Sequence, residues 1–298
     1  MCSEGRFRYS LRSCALALLV SVVLTPQPAF AQSKAATVAG SPPAGSASGN
    51  HLEVIALNAA LGAGTAAVVA LITRKPVVKA AALGAAGGSV TYVGKSLATR
   101  DFSGAGFMGR QIGAVGASLT RDAVEGHEPF QRFILPLGLA RLHVDAGAGQ
   151  RVRVRADLAA IIASLSAIAG GGDLDFRRPL SNGTPVFHVN RSDPEWYGVQ
   201  LAGVIWLRDD IPERPIERTL SHEMVHVLQH DASFISWAEP LERLMISRVP
   251  GLRGIHRWAD LGLQVPVRAL GNHMLDYSNR PWEWEASSLA GTTNGIFH

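Results

Sequence analysis

His222, Glu223 and His226, within the run Ser221-His222-Glu223-Met224-Val225-His226, are of the types and at the spacing that hold a divalent cation. On an α-helix, positions i and i+4 lie on one face about a turn apart, so two neutral imidazoles at 222 and 226 can grip one ion, and Zn2+ suits such nitrogen donors. Glu223 projects beside them and offers a carboxylate that can take a proton from an activated water. Apolar Leu220, Met224, Val225, Val227 and Leu228 surround these residues, which predicts a helix buried on one side with its chemical edge turned to a cleft.

Two nitrogens do not hold a catalytic zinc; three protein ligands and one open position are the usual requirement. The extended form H-E-x-x-H-x-x-G-x-x-H is excluded, because Gln229 stands at its Gly position and Ala232 at its last His. A downstream carboxylate is the better source, and the run Asn279-Arg280-Pro281-Trp282-Glu283-Trp284-Glu285-Ala286-Ser287-Ser288 contains two.

Here the chain resembles the gluzincin group of zinc metallopeptidases, in which HExxH is joined by a Glu from a later helix, often as E-x-E-A or E-x-x-A-D. The resemblance implies Glu283 as third ligand. Glu285 also fits, because some gluzincins carry Ala directly after the ligand, as Glu285-Ala286 does. Ala286 matches the small residue that lets two helices pack closely, while Ser287 stands where the group often has an Asp bonded to a ligand histidine. The resemblance spans roughly Arg151 to Leu289. It implies a zincin-like domain, a small twisted sheet over the active helix, whose edge strand pairs with a peptide or protein substrate. Glu223 then serves as general base and afterwards as general acid.

The developing oxyanion also needs a donor, and Tyr277, Arg280 and His273, just before the third ligand, are the candidates. His230 falls on the ligand face at i+4 from His226, but a fourth protein ligand would close the open position, so it is assigned to the surroundings or the surface. Gln229 is expected to orient the helix against the sheet, and His256 to be structural.

The elements that must position these groups are legible in part. Phe133-Ile134-Leu135 and Arg141 to Val144 look extended, and Arg151 to Arg155 alternates polar and apolar residues as a half-exposed strand does. Asp157 caps an apolar helix to about Ala169, closed by Gly170-Gly171-Gly172. Pro185 to Val189 and Val199 to Leu207 read as strands, with Ala202 to Leu207 the expected sheet edge. Asp209, Asp210, Pro212 and Pro215 then turn the chain into the histidine helix. The fold class is α+β, with residues 130–298 as the metallopeptidase-like domain.

Residues 1–31 have the form of a secretory signal: Arg6, Arg8 and Arg12, an apolar run from Cys14 to Leu24, and Ala29-Phe30-Ala31 before the cleavage point. The protein is therefore expected to be exported, to the periplasm or cell envelope. Both cysteines, Cys2 and Cys14, lie in this segment, so the remaining chain offers neither disulfides nor thiolate ligands. The formal net charge of +4 moves nearer to zero once the signal is removed, which argues against nucleic-acid binding.

Residues 32–50, rich in Ser, Ala, Gly and Pro, read as a flexible linker. Residues 51–129 form an Ala/Gly-rich helical region, with a charge-free stretch from Val54 to Ile72, a stop at Arg74-Lys75-Pro76 and a second stretch from Val77 to Ala98. Small residues recur at Ala60/Gly64, Gly84/Gly88 and Gly109/Gly113, a spacing that lets helices approach closely. Two readings stand for residues 51–98: a membrane-associated hairpin, or a tightly packed soluble helix pair. A non-catalytic envelope protein that binds membrane or partner through this hairpin is the alternative to the enzyme. Glu223 speaks for the enzyme, because metal retention alone does not need it.

Overall fold

The computed structural model describes residues 47–147, 149, 151–190, 197–210, 213–246, 249–275 and 280–291. The signal segment, most of the linker and Tyr277 lie outside them. The architecture is mixed α+β.

Three long helices come first: α1 (Ala47–Thr73), α2 (Val77–Ala98) and α3 (Ala105–Glu125). The first two follow the predicted stretches, broken at Arg74, whose φ of 57° reverses the chain. The third shows no clear period in the sequence, because backbone proximity, and not a row of large side chains, is what it supplies. A Cβ placed on Gly88 would lie 2.0 Å from the Asn58 carbonyl oxygen, and one on Gly62 would lie 2.1 Å from that of Gly84. Gly94 meets Gly109 and Gly113 of α3 in the same way. Of the expected small-residue pairs, Gly64 makes no such contact; Gly62 takes its place. α3 ends at Gly126, in the left-handed region at φ 68°, with the His127 amide bonded to the Asp122 carbonyl.

Two four-stranded sheets follow. In the first, β1 (Arg132–Leu137), β2 (Ala140–Asp145) and β3 (Arg151–Asp157) form an antiparallel meander that β8 (Ala259–Asp260) joins in parallel, giving the order β1-β2-β3-β8. Ile134 turns inward against Ala114 and Ala117 of α3. The helix α4 (Leu158–Ala169) starts as predicted, with the Asp157 carboxylate accepting the Ala160 amide.

The second sheet, in the order β4-β5-β7-β6, contains β4 (Asp173–Leu174), β5 (Val186–Val189), β6 (Gly198–Leu201) and β7 (Val204–Arg208), with the short α5 (Arg178–Asn182) before β5. The stretch expected as one strand, Val199 to Leu207, is a hairpin. Ala202 and Gly203, at φ 51° and 81°, make a tight two-residue turn between antiparallel strands. The expected edge is corrected too: β7 is paired on both sides, which suits fully buried Val204, Ile205 and Leu207, and β6 and β4 are the edges.

The histidine helix is α6 (Glu213–Ser233), which continues through a π-helical stretch, Phe234–Ala238, into α7 (Glu239–Ile246). α8 (Pro250–His256), α9 (Gln264–Met274) and α10 (Pro281–Ala290) complete the chain. The expectation of a one-sided helix fails, because every residue from His222 to Leu228 is buried. Leu220, Met224, Val227 and Leu228 pack with Val186, Ile205 and Leu207 of the second sheet, while Val225 packs with Val54 of α1 and Ala286 and Leu289 of α10. Buried ion pairs also join the N-terminal helices to the rest, Lys95 with Glu285 at 2.8 Å, Arg110 with Asp231 at 2.6 Å and Arg121 with Glu239 at 2.7 Å.

Candidate metal centre

The HExxH turn places the rings of His222 and His226 edge to face, 4.7 Å between centroids, with their Nε2 atoms 3.1 Å apart. α10 brings Glu283 to the same point. Its Oε2 lies 3.3 Å from the Nε2 of His222 and 2.9 Å from that of His226. All three residues are buried. Burial alone would raise the Glu283 carboxyl pKa, but the two imidazoles overcome this and hold it far below the usual carboxylate range. His222 is shifted upward, since hydrogen bonding to Glu283 and the charge of Glu223 outweigh desolvation.

The donor chemistry tests whether a cation suits this point. Gln229 Nε2 donates to the Trp282 carbonyl at 3.0 Å and to Glu285 Oε2 at 2.8 Å, so its Oε1 faces His226 Nδ1 at 2.8 Å. An amide oxygen only accepts, so Nδ1 carries a proton, and in the neutral imidazole the Nε2 of His226 then presents a bare lone pair. That lone pair faces a carboxylate oxygen at hydrogen-bond distance. Acceptors crowded in this way need a positive centre between them. A tetrahedral zinc with bonds of about 2.0–2.1 Å keeps its donor atoms roughly 3.3 Å apart, close to the three separations found here. The residues fit the ion.

Glu285, the other carboxylate of the run, is turned away. Residues i and i+2 of a helix face opposite sides, and Glu285 meets Lys95, Asn58 and Gln229 instead. Gln229 accordingly faces α10 and not the sheet, which corrects its expected role. Glu223 is buried next to the edge strand; a Cβ on Gly198 of β6 would lie 3.3 Å from its Cγ and 2.6 Å from Thr219 Cγ2. Glycine at 198 thus lets β6 cross closely over the helix.

Two of the three expected oxyanion donors, Arg280 and His273, fall within the described residues. Arg280 spends its guanidinium on the carbonyls of Leu275 and Asn272, His273 is exposed, and Tyr277 lies outside the described residues. Arg268, on α9, was missed. Its guanidinium donates to the His226 carbonyl at 3.3 Å, and although burial lowers its pKa, the charges of Glu283 and Glu223 act the other way. No motif marks it; only the fold of α9 against α6 does.

His230 is not at the surface. It is buried, with its Nε2 accepting from Gln264 Nε2 at 2.9 Å, and desolvation together with Arg141, Arg268 and Arg110 holds its pKa well below the ordinary value. His256 sits apart from the histidine pair, beside Arg155, Glu242 and Asp260. That second acid–imidazole group fits a cation poorly: Glu242 already accepts the Leu261 and Leu263 amides, and Asp260 already accepts from His143 and Arg155.

Comparison of the chain with protein-family models, with curated proteins and with solved structures gives no match in any of the three. The function therefore rests on the site's own chemistry.

Proposed function

We propose that the protein is a zinc-dependent hydrolase of gluzincin-like, zincin-like type that cleaves peptide bonds. His222, His226 and Glu283 would hold the ion. A zinc ion in such a set lowers the pKa of water toward about 7 and polarises a carbonyl as a Lewis acid. Glu223 takes the proton of the attacking water and returns it to the leaving nitrogen, as its place beside the histidines on α6 allows. Arg268, whose guanidinium reaches the His226 carbonyl, is the described cation to test as oxyanion donor. β6, an edge strand among the described residues that crosses α6 at Gly198, offers backbone groups to an extended peptide.

The observation that carries this reading is the convergence of two imidazole nitrogens and one carboxylate oxygen within 3.3 Å, with the His226 proton held on the far nitrogen. The test is zinc content of the purified protein, together with cleavage of a quenched-fluorescence peptide library before and after chelation. Stoichiometric zinc and cleavage lost to chelator and restored by zinc support it; no zinc uptake overturns it.

Export through residues 1–31 and residence in the cell envelope belong to the same proposal. Among the described residues one stretch, His51–Thr73, is long and apolar enough to cross a membrane. α2 is not, and it buries Lys95 against α10. Membrane association would therefore run through α1, whose Leu52, Leu61, Leu71 and Ile72 are exposed.

A further inference from the structure

Behind His226 runs a chain of hydrogen bonds that ends in the N-terminal helices. Gln229 Oε1 accepts from His226 Nδ1, and Gln229 Nε2 donates to Glu285 Oε2. Lys95 Nζ lies 2.8 and 2.9 Å from the two oxygens of Glu285. Asn58 closes the group: its Nδ2 donates to Glu285 Oε1 at 2.6 Å and to the Val54 carbonyl at 2.9 Å, while its Oδ1 accepts from Lys95 at 2.9 Å. The donors and acceptors match in only one sense. Lys95 cannot accept, so Glu285 and Asn58 Oδ1 must face it; ionised Glu285 cannot donate, so Gln229 must turn its nitrogen there and its oxygen to His226.

A buried lysine–glutamate pair is weak evidence for stability, since apolar residues of similar volume often serve as well. Lys95, Asn58 and Glu285 are all buried, and through Gln229 their polar chain reaches a histidine of the candidate metal centre.

We propose that Lys95, Asn58 and Glu285 are positioning residues of the metal centre, which act through Gln229 to hold His226 in the Nδ1–H form with its Nε2 lone pair aimed at His222 and Glu283. The Ala/Gly-rich helices are thereby a working part of the site. Their glycines let α1 and α2 approach closely enough for Asn58 and Lys95 to share one carboxylate. The inference rests on the metal-centre reading.

The experiment uses the full chain in three forms: parent, Gln229→Met, and the double variant Lys95→Met/Glu285→Met. Long-range proton–nitrogen NMR of the zinc-free protein reads which His226 nitrogen is protonated, and competition with a chromophoric chelator reads zinc affinity. The parent is expected in the Nδ1–H form. Gln229→Met and the double variant should show mixed protonation and bind zinc about 10- to 100-fold more weakly. The double variant removes both buried charges together, so it is expected to fold; a thermal midpoint near the parent's makes its lost affinity a matter of positioning. A parent with the proton on Nε2, or a folded double variant with the parent's protonation and affinity, overturns the inference while zinc binding by the parent still stands. A parent in the Nδ1–H form that takes up no zinc instead overturns the metal-centre reading, and the inference with it.

Discussion

Lys95 and Glu285 stand 190 positions apart in the chain and 2.8 Å apart in the fold, both shielded from water. Removal of one partner leaves the other charge buried and uncompensated. Lys95→Met alone is therefore expected to cost about 3–5 kcal/mol of stability, and the addition of Glu285→Met to recover most of it. Urea denaturation of the single and double variants decides this. A double variant as unstable as the single would mean that the pair does not interact.

Glu283 and Glu285 are two residues apart and do different work. Glu283→Ala should abolish stoichiometric zinc binding, whereas Glu285→Ala should keep a weaker site. Metal analysis after gel filtration compares them. Equal zinc retention by both variants refutes the assignment of Glu283 as third ligand.

Glu223 is given a role in proton transfer and none in holding the ion. Glu223→Gln preserves the side-chain shape and should leave zinc content unchanged while hydrolysis of any responsive peptide falls by about 10²–10⁴-fold. A variant that cleaves as fast as the parent rules out the general-base role.

The glycines of the first two helices differ sharply in what a methyl group would meet. Gly88→Ala would put a Cβ 2.0 Å from a backbone oxygen of α1, so the helices must separate, and a loss of at least about 2 kcal/mol is expected. Gly64→Ala meets nothing within 4 Å and replaces a poor helix former with the best one, so it should be neutral or stabilising by up to about 1 kcal/mol. Thermal midpoints test the contrast, and equal shifts would contradict the packing described.

Asp260 provides a pH dependence away from the metal centre. Burial would raise its carboxyl pKa, but the His143 hydrogen bond and the charges of His143, Arg141 and Arg155 overcome this and hold it at about 2, below the ordinary 3.8. Because the folded value is depressed, its stabilising contribution is complete above the ordinary value and is lost as pH falls through about 2. Asp260→Asn should thus lose on the order of 2 kcal/mol at pH 7 and lose less than the parent between about pH 4 and 2. Parallel stability profiles for parent and variant in that range would count against the linkage.

Much of the site could be read from local pattern. His222, Glu223 and His226 share one helix, and their spacing alone places both rings on one side. Glu283 was named only through a family resemblance, with Glu285 left beside it, because a carboxylate on another helix gains meaning from what it faces. The hairpin at Ala202-Gly203 was hidden because an alanine at positive φ is not a residue type that announces a turn. α3 carries no clear apolar period because its buried residues mix glycine and alanine with Arg110, Thr120, Arg121 and Asp122.

What the residue string determined by itself was local: a helix with two imidazoles one turn apart, a carboxylate next to them, a capped apolar helix at Asp157, and small residues that allow close helix approach. Tertiary structure alone decided which acid meets the histidines, that Arg268 reaches the His226 carbonyl, and that hydrogen bonds link Lys95 and Asn58 of the first two helices to His226 through Glu285 and Gln229. The physical reason is range. Helical spacing and capping act over a few residues, whereas the pairing of buried charges and the direction of a histidine's proton depend on groups far apart in the chain that only the packed fold brings within a hydrogen bond.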